Sequence, residues 1–172
     1  RAAFVAERGN LLVKADYAQV ELRIAAHLSQ DEKMLAAFRA GEDIHSSTAA
    51  WVHGVEVNQV TDKMRRSAKS LNFGVLYGMG PNKFSQEADV SREEARSFIE
   101  RYKEQYVGVT RFIEETIRQA QEQGYVETVM GRRRYLPEIN SRNPSIRAAA
   151  ERAAYNFPIQ GTAADILKGA MV

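Results

Sequence analysis

Arg65-Arg66-Ser67-Ala68-Lys69-Ser70-Leu71-Asn72-Phe73-Gly74-Val75-Leu76-Tyr77-Gly78 sets cations, an aromatic pair and glycines in helical register. At ~100° per residue, Arg65, Lys69, Phe73 and Tyr77 advance only ~40° at each step, so they share one slowly drifting helix face. That face is positive at its N-terminal end and aromatic further on. Phosphates need fixed positive charge and a base needs a flat apolar partner, so this order suits both ends of a nucleotide. For any one residue a basic amphipathic helix is the plainer reading. The grouping favours a ligand: no acid lies between Met64 and Tyr77, and Gly74 and Gly78 each cost a helix ~1 kcal/mol relative to Ala, which implies a close approach to the backbone. A second centre is Asp16-Tyr17-Ala18-Gln19-Val20-Glu21-Leu22-Arg23. A carboxylate at a strand end is a natural ligand for Mg²⁺, with a neighbouring backbone carbonyl as a further oxygen. Taken alone, Asp16 reads first as a helix cap.

The elements that must position these residues follow from local signals. Gly9-Asn10 marks a turn, and the apolar run Leu11 to Ala15 predicts a strand that delivers Asp16 to its C-terminal edge. Val20, Ile24 and Leu28 recur at four-residue spacing, which predicts a helix directly after it. Asp31 and Asp43 are expected N-caps of two more helices, the second carrying His45 in its first turn, and Thr61 is expected to cap the helix of the opening motif. Pro81 starts a short helix, and Ser91-Arg92-Glu93-Glu94 has the capping-box form that begins a longer one. A helix over 109–123 ends at Gly124. Tyr125 to Met130 and Arg132 to Leu136 flank Gly131 as a hairpin. The last helical block begins near Ser145, is expected to break at Phe157-Pro158, and resumes from Gln160. The expected class is α+β and predominantly helical.

The chain has 172 residues, 44% hydrophobic and 27% charged, enough for one ordinary domain with a core. Its formal net charge is +2, so attraction to a polyanion must come from local clustering. With no cysteine, disulfides and thiolate metal sites are excluded. No apolar run approaches the ~20 residues needed to cross a bilayer. The expectation is a cytoplasmic monomer. Arg1 is not an initiator methionine and Val172 falls inside a helical pattern, so a fragment is expected.

Read together, the two centres resemble motifs of family A DNA polymerases, the DNA polymerase I type. Asp16 to Arg23 resembles the first catalytic motif, Arg65 to Gly78 the fingers-helix motif, and Asn156-Phe157-Pro158-Ile159-Gln160-Gly161-Thr162-Ala163-Ala164-Asp165 a third stretch in the same order. The resemblance implies a fingers subdomain over 43–135 between two parts of a palm, 1–42 and 136–172, with an incomplete antiparallel sheet. It implies template-directed DNA synthesis from deoxynucleoside triphosphates on primer–template DNA, with two Mg²⁺ ions. Asp16 would bind both ions and the Tyr17 carbonyl would add a ligand. Asp16 and Lys69 are the implied catalytic residues. Gln19, Glu21, His45, Arg65, Lys69, Phe73 and Tyr77 would bind the incoming nucleotide, with Glu21 closing off space beside the sugar 2′ position. Arg152, Asn156 and Gln160 would contact primer and template, where amide side chains suit the similar acceptors of every minor-groove base pair.

Two departures qualify this. Ala18 stands where the family often has serine, and no His-Asp dipeptide of the family's second metal motif occurs. Two divalent ions beside a triphosphate need more than one carboxylate, so the isolated segment is expected to be inactive or nearly so. A module that binds nucleic acid without catalysis is the alternative. Glu21 argues against a related RNA polymerase, which should not block the 2′ position. Arg132-Arg133-Arg134 reads first as a solvated charge run and only weakly as a nucleic-acid contact.

Overall fold

The computed structural model describes residues 4–172, and helices dominate it. In chain order they are α1 (Val20–Ser29), α2 (Glu32–Arg39), α3 (Ile44–His53), a 3₁₀ turn (Val57–Gln59), α4 (Asp62–Leu76), α5 (Pro81–Ala88), α6 (Arg92–Gln105), α7 (Val107–Gln123) and α8 (Pro144–Met171). Between α7 and α8 lies an antiparallel hairpin of β1 (Tyr125–Glu127) and β2 (Arg133–Tyr135), with Tyr125 opposite Tyr135 and Glu127 opposite Arg133.

The helix starts follow their caps. The Met34 amide donates to Asp31 Oδ1 at 3.0 Å, that of His45 to Asp43 Oδ1 at 3.3 Å, and that of Met64 to Thr61 Oγ1 at 3.3 Å. Each side-chain oxygen satisfies one of the amides that a first turn leaves unpaired. Ser91 and Glu94 close the expected capping box, and Gly124 ends α7 in the left-handed conformation. Asn143 caps α8 through the Ser145 amide at 3.0 Å.

Two expectations fail. Residues 11–15 form no strand: Leu11 and Val13 are 90% and 91% exposed, and the only sheet among the described residues is the hairpin. A strand exists only through ladder bonds to a neighbour, and nothing among the described residues pairs with this run. The second failure is the break at Pro158, because α8 runs unbroken through it. The proline forfeits one backbone bond, a cost of roughly 3 kcal/mol in a free helix. Here burial of Tyr155, Pro158 and Ile159 on either side of the missing bond holds the helix together, each large apolar side chain contributing about 1.5–3 kcal/mol.

The main core collects Leu22 of α1, Met34 of α2, Ile44 of α3, Leu71 and Leu76 of α4, Phe84 of α5, Tyr102 of α6 and Ile159 of α8. A smaller cluster under the hairpin joins Ala120, Val126, Leu136, Ile139, Ala150 and Ala154. α3 and α4 pack side by side on the main core and leave their polar edges facing the start of α1.

Candidate nucleotide site

A cavity of about 320 Å³ opens between the segment before α1, the start of α3 and the exposed face of α4. Its walls are Asp16, Tyr17, Gln19, Val20, Glu21, His45, Arg65, Lys69 and Phe73. The sequence separates these residues by as much as 57 positions, and the packing of α3 against α4 brings them together. Gln19, at the N-cap of α1, adopts φ 55° and ψ 33°. A non-glycine residue in the left-handed region is uncommon; Gln30 and Asp89 share it as C-caps of α1 and α5, outside the cavity. The turn at Gln19 places Asp16 and Tyr17 opposite the cations of α4.

The charges are arranged for an anion. Lys69 is exposed and makes no ion pair among the described residues. Arg65 is engaged: its Nε lies 2.6 Å from Asp43 Oδ2, a partner 22 positions away that the absence of local acids does not anticipate. Burial alone would push the Asp43 carboxyl up. Hydrogen bonds from Arg65 and Ser46, the charge of Arg65 and the His45 amide outweigh that and hold it at about 2. His45 is buried, which holds its imidazole below the ordinary value; Asp43 opposes that, and the charges of Arg65 and Lys69 reinforce it. A neutral ring is the result at pH 7.

The aromatic end is a ladder. Phe73 and Tyr77 stack with centroids 6.4 Å apart and planes 13° from parallel, and the His45 ring lies 6.0 Å from that of Phe73, tilted by 45°. Tyr77, the C-cap of α4, donates its hydroxyl to Glu21 Oε2 across the gap to α1. Burial and the bond to Glu21 push the phenol up to about 12, against a lowering contact from Gln160. Tyr77 therefore stays a donor throughout the neutral range, and Glu21 is held over the cavity floor as an engaged carboxylate.

Gln160 borders a second cavity of about 610 Å³, shared with Ala15, Asp16, Tyr17, Glu21 and the C-terminal half of α8. Asp16 and Tyr17 thus stand between the two cavities. Asn156 and Gln160 lie within α8, so neither caps a helix, and Asn156 Oδ1 is buried without a hydrogen-bond partner among the described residues. Arg152 lines neither cavity; it packs with Tyr155 against Gly78. The close approach implied by Gly74 and Gly78 is made by the chain itself, by Met79 at the first and by Arg152 and Tyr155 at the second.

For a metal the chain offers Asp16 and the Tyr17 carbonyl, both on exposed residues. No group of three or more histidine or acidic side chains able to hold an ion occurs among the described residues. One carboxylate and one carbonyl fit part of a divalent-cation site. The arginine run is largely occupied: Arg132 pairs with Asp165 at 2.9 Å and donates to the Gly161 carbonyl at 2.9 Å, while Arg133 bonds Glu127 and lies over Tyr125. Sequence reasoning missed Asp43 as the partner of Arg65, and Asn72 as a partner of His45. The spacing Asp43-x-His45, one residue capping and the next but one facing the cavity, was the available signal for the first.

A sequence model described as DNA polymerase family A matches residues 1–172. Among similar proteins, the thermostable DNA polymerase I of Thermus filiformis is 55% identical over the whole chain, which covers 21% of that protein. The DNA polymerase I of Pseudomonas aeruginosa is 54% identical, again over the whole chain and 19% of its own length. A solved POL domain of Pol1 from M. smegmatis, in complex with DNA primer-template and dNTP, superimposes with a TM-score of 0.85 at 46% identity, over 91% of this chain and 28% of that one. The chain therefore spans about a fifth of the length of the curated relatives it matches.

Proposed function

The chain belongs to DNA polymerase family A, and we propose that it forms the part of a template-directed DNA polymerase that receives the incoming deoxynucleoside triphosphate. One observation carries this reading: Asp16 and Glu21 share a single cavity with His45, Arg65, Lys69 and Phe73. In it, Arg65, Lys69 and His45 bind the triphosphate, with Lys69 a free cation beside the leaving phosphates. Phe73 supports the base and sugar. Glu21, held by Tyr77, and Gln19 line the sugar side, so that a 2′-hydroxyl meets a carboxylate already bonded elsewhere. Arg152, Asn156 and Gln160 follow primer and template along α8.

Asp16 and the Tyr17 carbonyl would hold part of the Mg²⁺ site. When bound, two such ions stabilise the attacking and leaving oxygens of phosphoryl transfer. Residues 1–42 and 136–172 are read as palm and 43–135 as fingers. The M. smegmatis domain is a complex with DNA primer-template and dNTP, and these are the proposed partners here. The working form is read as a cytoplasmic monomer, which sedimentation of the whole protein would check. The test of the reading is primer extension by the whole protein and its Asp16→Ala variant. Loss of roughly 10²–10³-fold in the variant, the scale of removing one contact that stabilises transition-state charge, is expected. Equal rates would contradict the catalytic reading and favour a module that only binds nucleic acid.

A further inference from the structure

Asn72 lies on α4 on the side turned to α3, with none of its surface exposed, and the site described above makes no use of it. A fully buried carboxamide is costly unless both of its ends are bonded. Here both are. Its Nδ2 lies 3.0 Å from Nδ1 of His45, and its Oδ1 accepts from Thr48 Oγ1 at 3.1 Å. Thr48 Oγ1 in turn lies 3.0 Å from the Tyr106 hydroxyl and 2.7 Å from the Ile44 carbonyl. Thr48, Tyr106 and His45 are all buried as well.

The chain of bonds has a direction. With Asn72 Oδ1 turned to Thr48, the single Thr48 proton is shared between the Ile44 carbonyl and Asn72 Oδ1, which leaves Tyr106 to donate to Thr48. Asn72 then donates from Nδ2 to the ring. A neutral imidazole that accepts at Nδ1 carries its proton on Nε2. That nitrogen, on the far edge of the ring, has no partner among the described residues, and His45 lines the cavity where Lys69 and Arg65 gather positive charge. With the amide the other way round, Nδ1–H would donate to Oδ1 and Nε2 would aim a lone pair at an incoming anion.

We propose that Asn72 is a positioning residue that holds His45 as an Nε2–H donor to a phosphate oxygen of a nucleotide bound between α1, α3 and α4. The proposal rests on the nucleotide reading of that cavity. Asn72 does not touch the ligand; Thr48 and Tyr106 fix the amide, and the amide fixes the ring.

The experiment uses the whole protein labelled with ¹⁵N-histidine, in complex with primer–template. Long-range ¹H–¹⁵N spectra read the tautomer of His45, and steady-state kinetics give KM and kcat for the complementary deoxynucleotide. The expected wild-type spectrum has Nε2 protonated and Nδ1 bare. In Asn72→Asp, which keeps the shape and as a carboxylate can only accept from the ring, the proton appears on Nδ1. In Asn72→Leu, KM rises about tenfold, the scale of one charge-assisted hydrogen bond, with kcat changed less than about twofold. That rise vanishes when His45 is already glutamine. If Asn72→Leu does not fold, the Asn72→Asp spectrum decides. A wild-type ring protonated on Nδ1 overturns the proposal, as does an equal rise of KM in the His45 and His45→Gln backgrounds. If the tautomer is as expected yet His45→Gln alone leaves KM unchanged, the hold of Asn72 on the ring is upheld and the nucleotide reading of the cavity falls.

Discussion

Arg65 and Asp43 show how a site can hold a cation ready without exposing it fully. The pair is half-exposed, with side-chain accessibilities of 44% and 34%, so its own contribution to stability is small, about 1 kcal/mol or less. A phosphate entering the cavity competes with Asp43 for the same guanidinium. Asp43→Asn keeps an acceptor at the N-cap of α3 and removes the competing charge. The expected outcome in the whole protein is a KM for deoxynucleotide lowered by up to about fivefold; an unchanged or raised KM would show that Asp43 orients Arg65 rather than restrains it. Of the residues gathered here, Arg65, Lys69, Phe73 and Tyr77 were legible in the sequence because helical periodicity alone puts them on one face. Asp43 and Asn72 were not. Their partners lie 22 and 27 positions away, and only the packing of α3 on α4 decides that they meet.

At the scale of elements, what could be read locally was read correctly. N-caps at Asp31, Asp43, Thr61 and Ser91, the stop at Gly124 and the hairpin around Gly131 all depend on a few adjacent residues, and all are present. What depended on distant partners was not legible. The run 11–15 has strand composition but no neighbour among the described residues, and Pro158 has the chemistry of a breaker but sits between buried side chains that outweigh its lost bond. The joint between α4 and α8 is of the same kind. Gly78 has φ +69°, and a Cβ there would come within 2.7 Å of Arg152 Cδ and closer still to the Tyr155 hydroxyl. Gly78→Ala therefore combines a left-handed penalty with overpacking, each on the order of 1–2 kcal/mol. Gly80, where a Cβ would meet nothing within 4 Å, is the control. Thermal melting of the whole protein should show a loss of several degrees for Gly78→Ala and little for Gly80→Ala, and equal melting would mean that α4 and α8 are not tightly joined there.

Across the whole molecule, α3 and α4 carry His45, Arg65 and Lys69 on one wall of the cavity, while the segment before α1 and α1 itself carry the carboxylates Asp16 and Glu21 on the other. The cost of that arrangement is a buried histidine among positive charges. Its folded pKa lies below the ordinary value of 6.5, so the folded state binds fewer protons than the unfolded state in that region. The stability contributed by His45 is complete above about pH 6.5 and declines as pH falls below it. Melting temperatures of the whole protein should therefore drop between about pH 6.5 and 5, and His45→Gln should flatten that slope; an identical slope in the variant would place the titration elsewhere. In the proposed function the deoxynucleotide sits on α4 and the start of α3. Hydrogen exchange of the whole protein on primer–template, with and without the complementary deoxynucleoside triphosphate, tests that placement most directly. Slowed exchange is expected in peptides covering 43–48 and 62–77 on nucleotide addition; no slowing in those peptides, with protection confined to other segments, would place the nucleotide elsewhere.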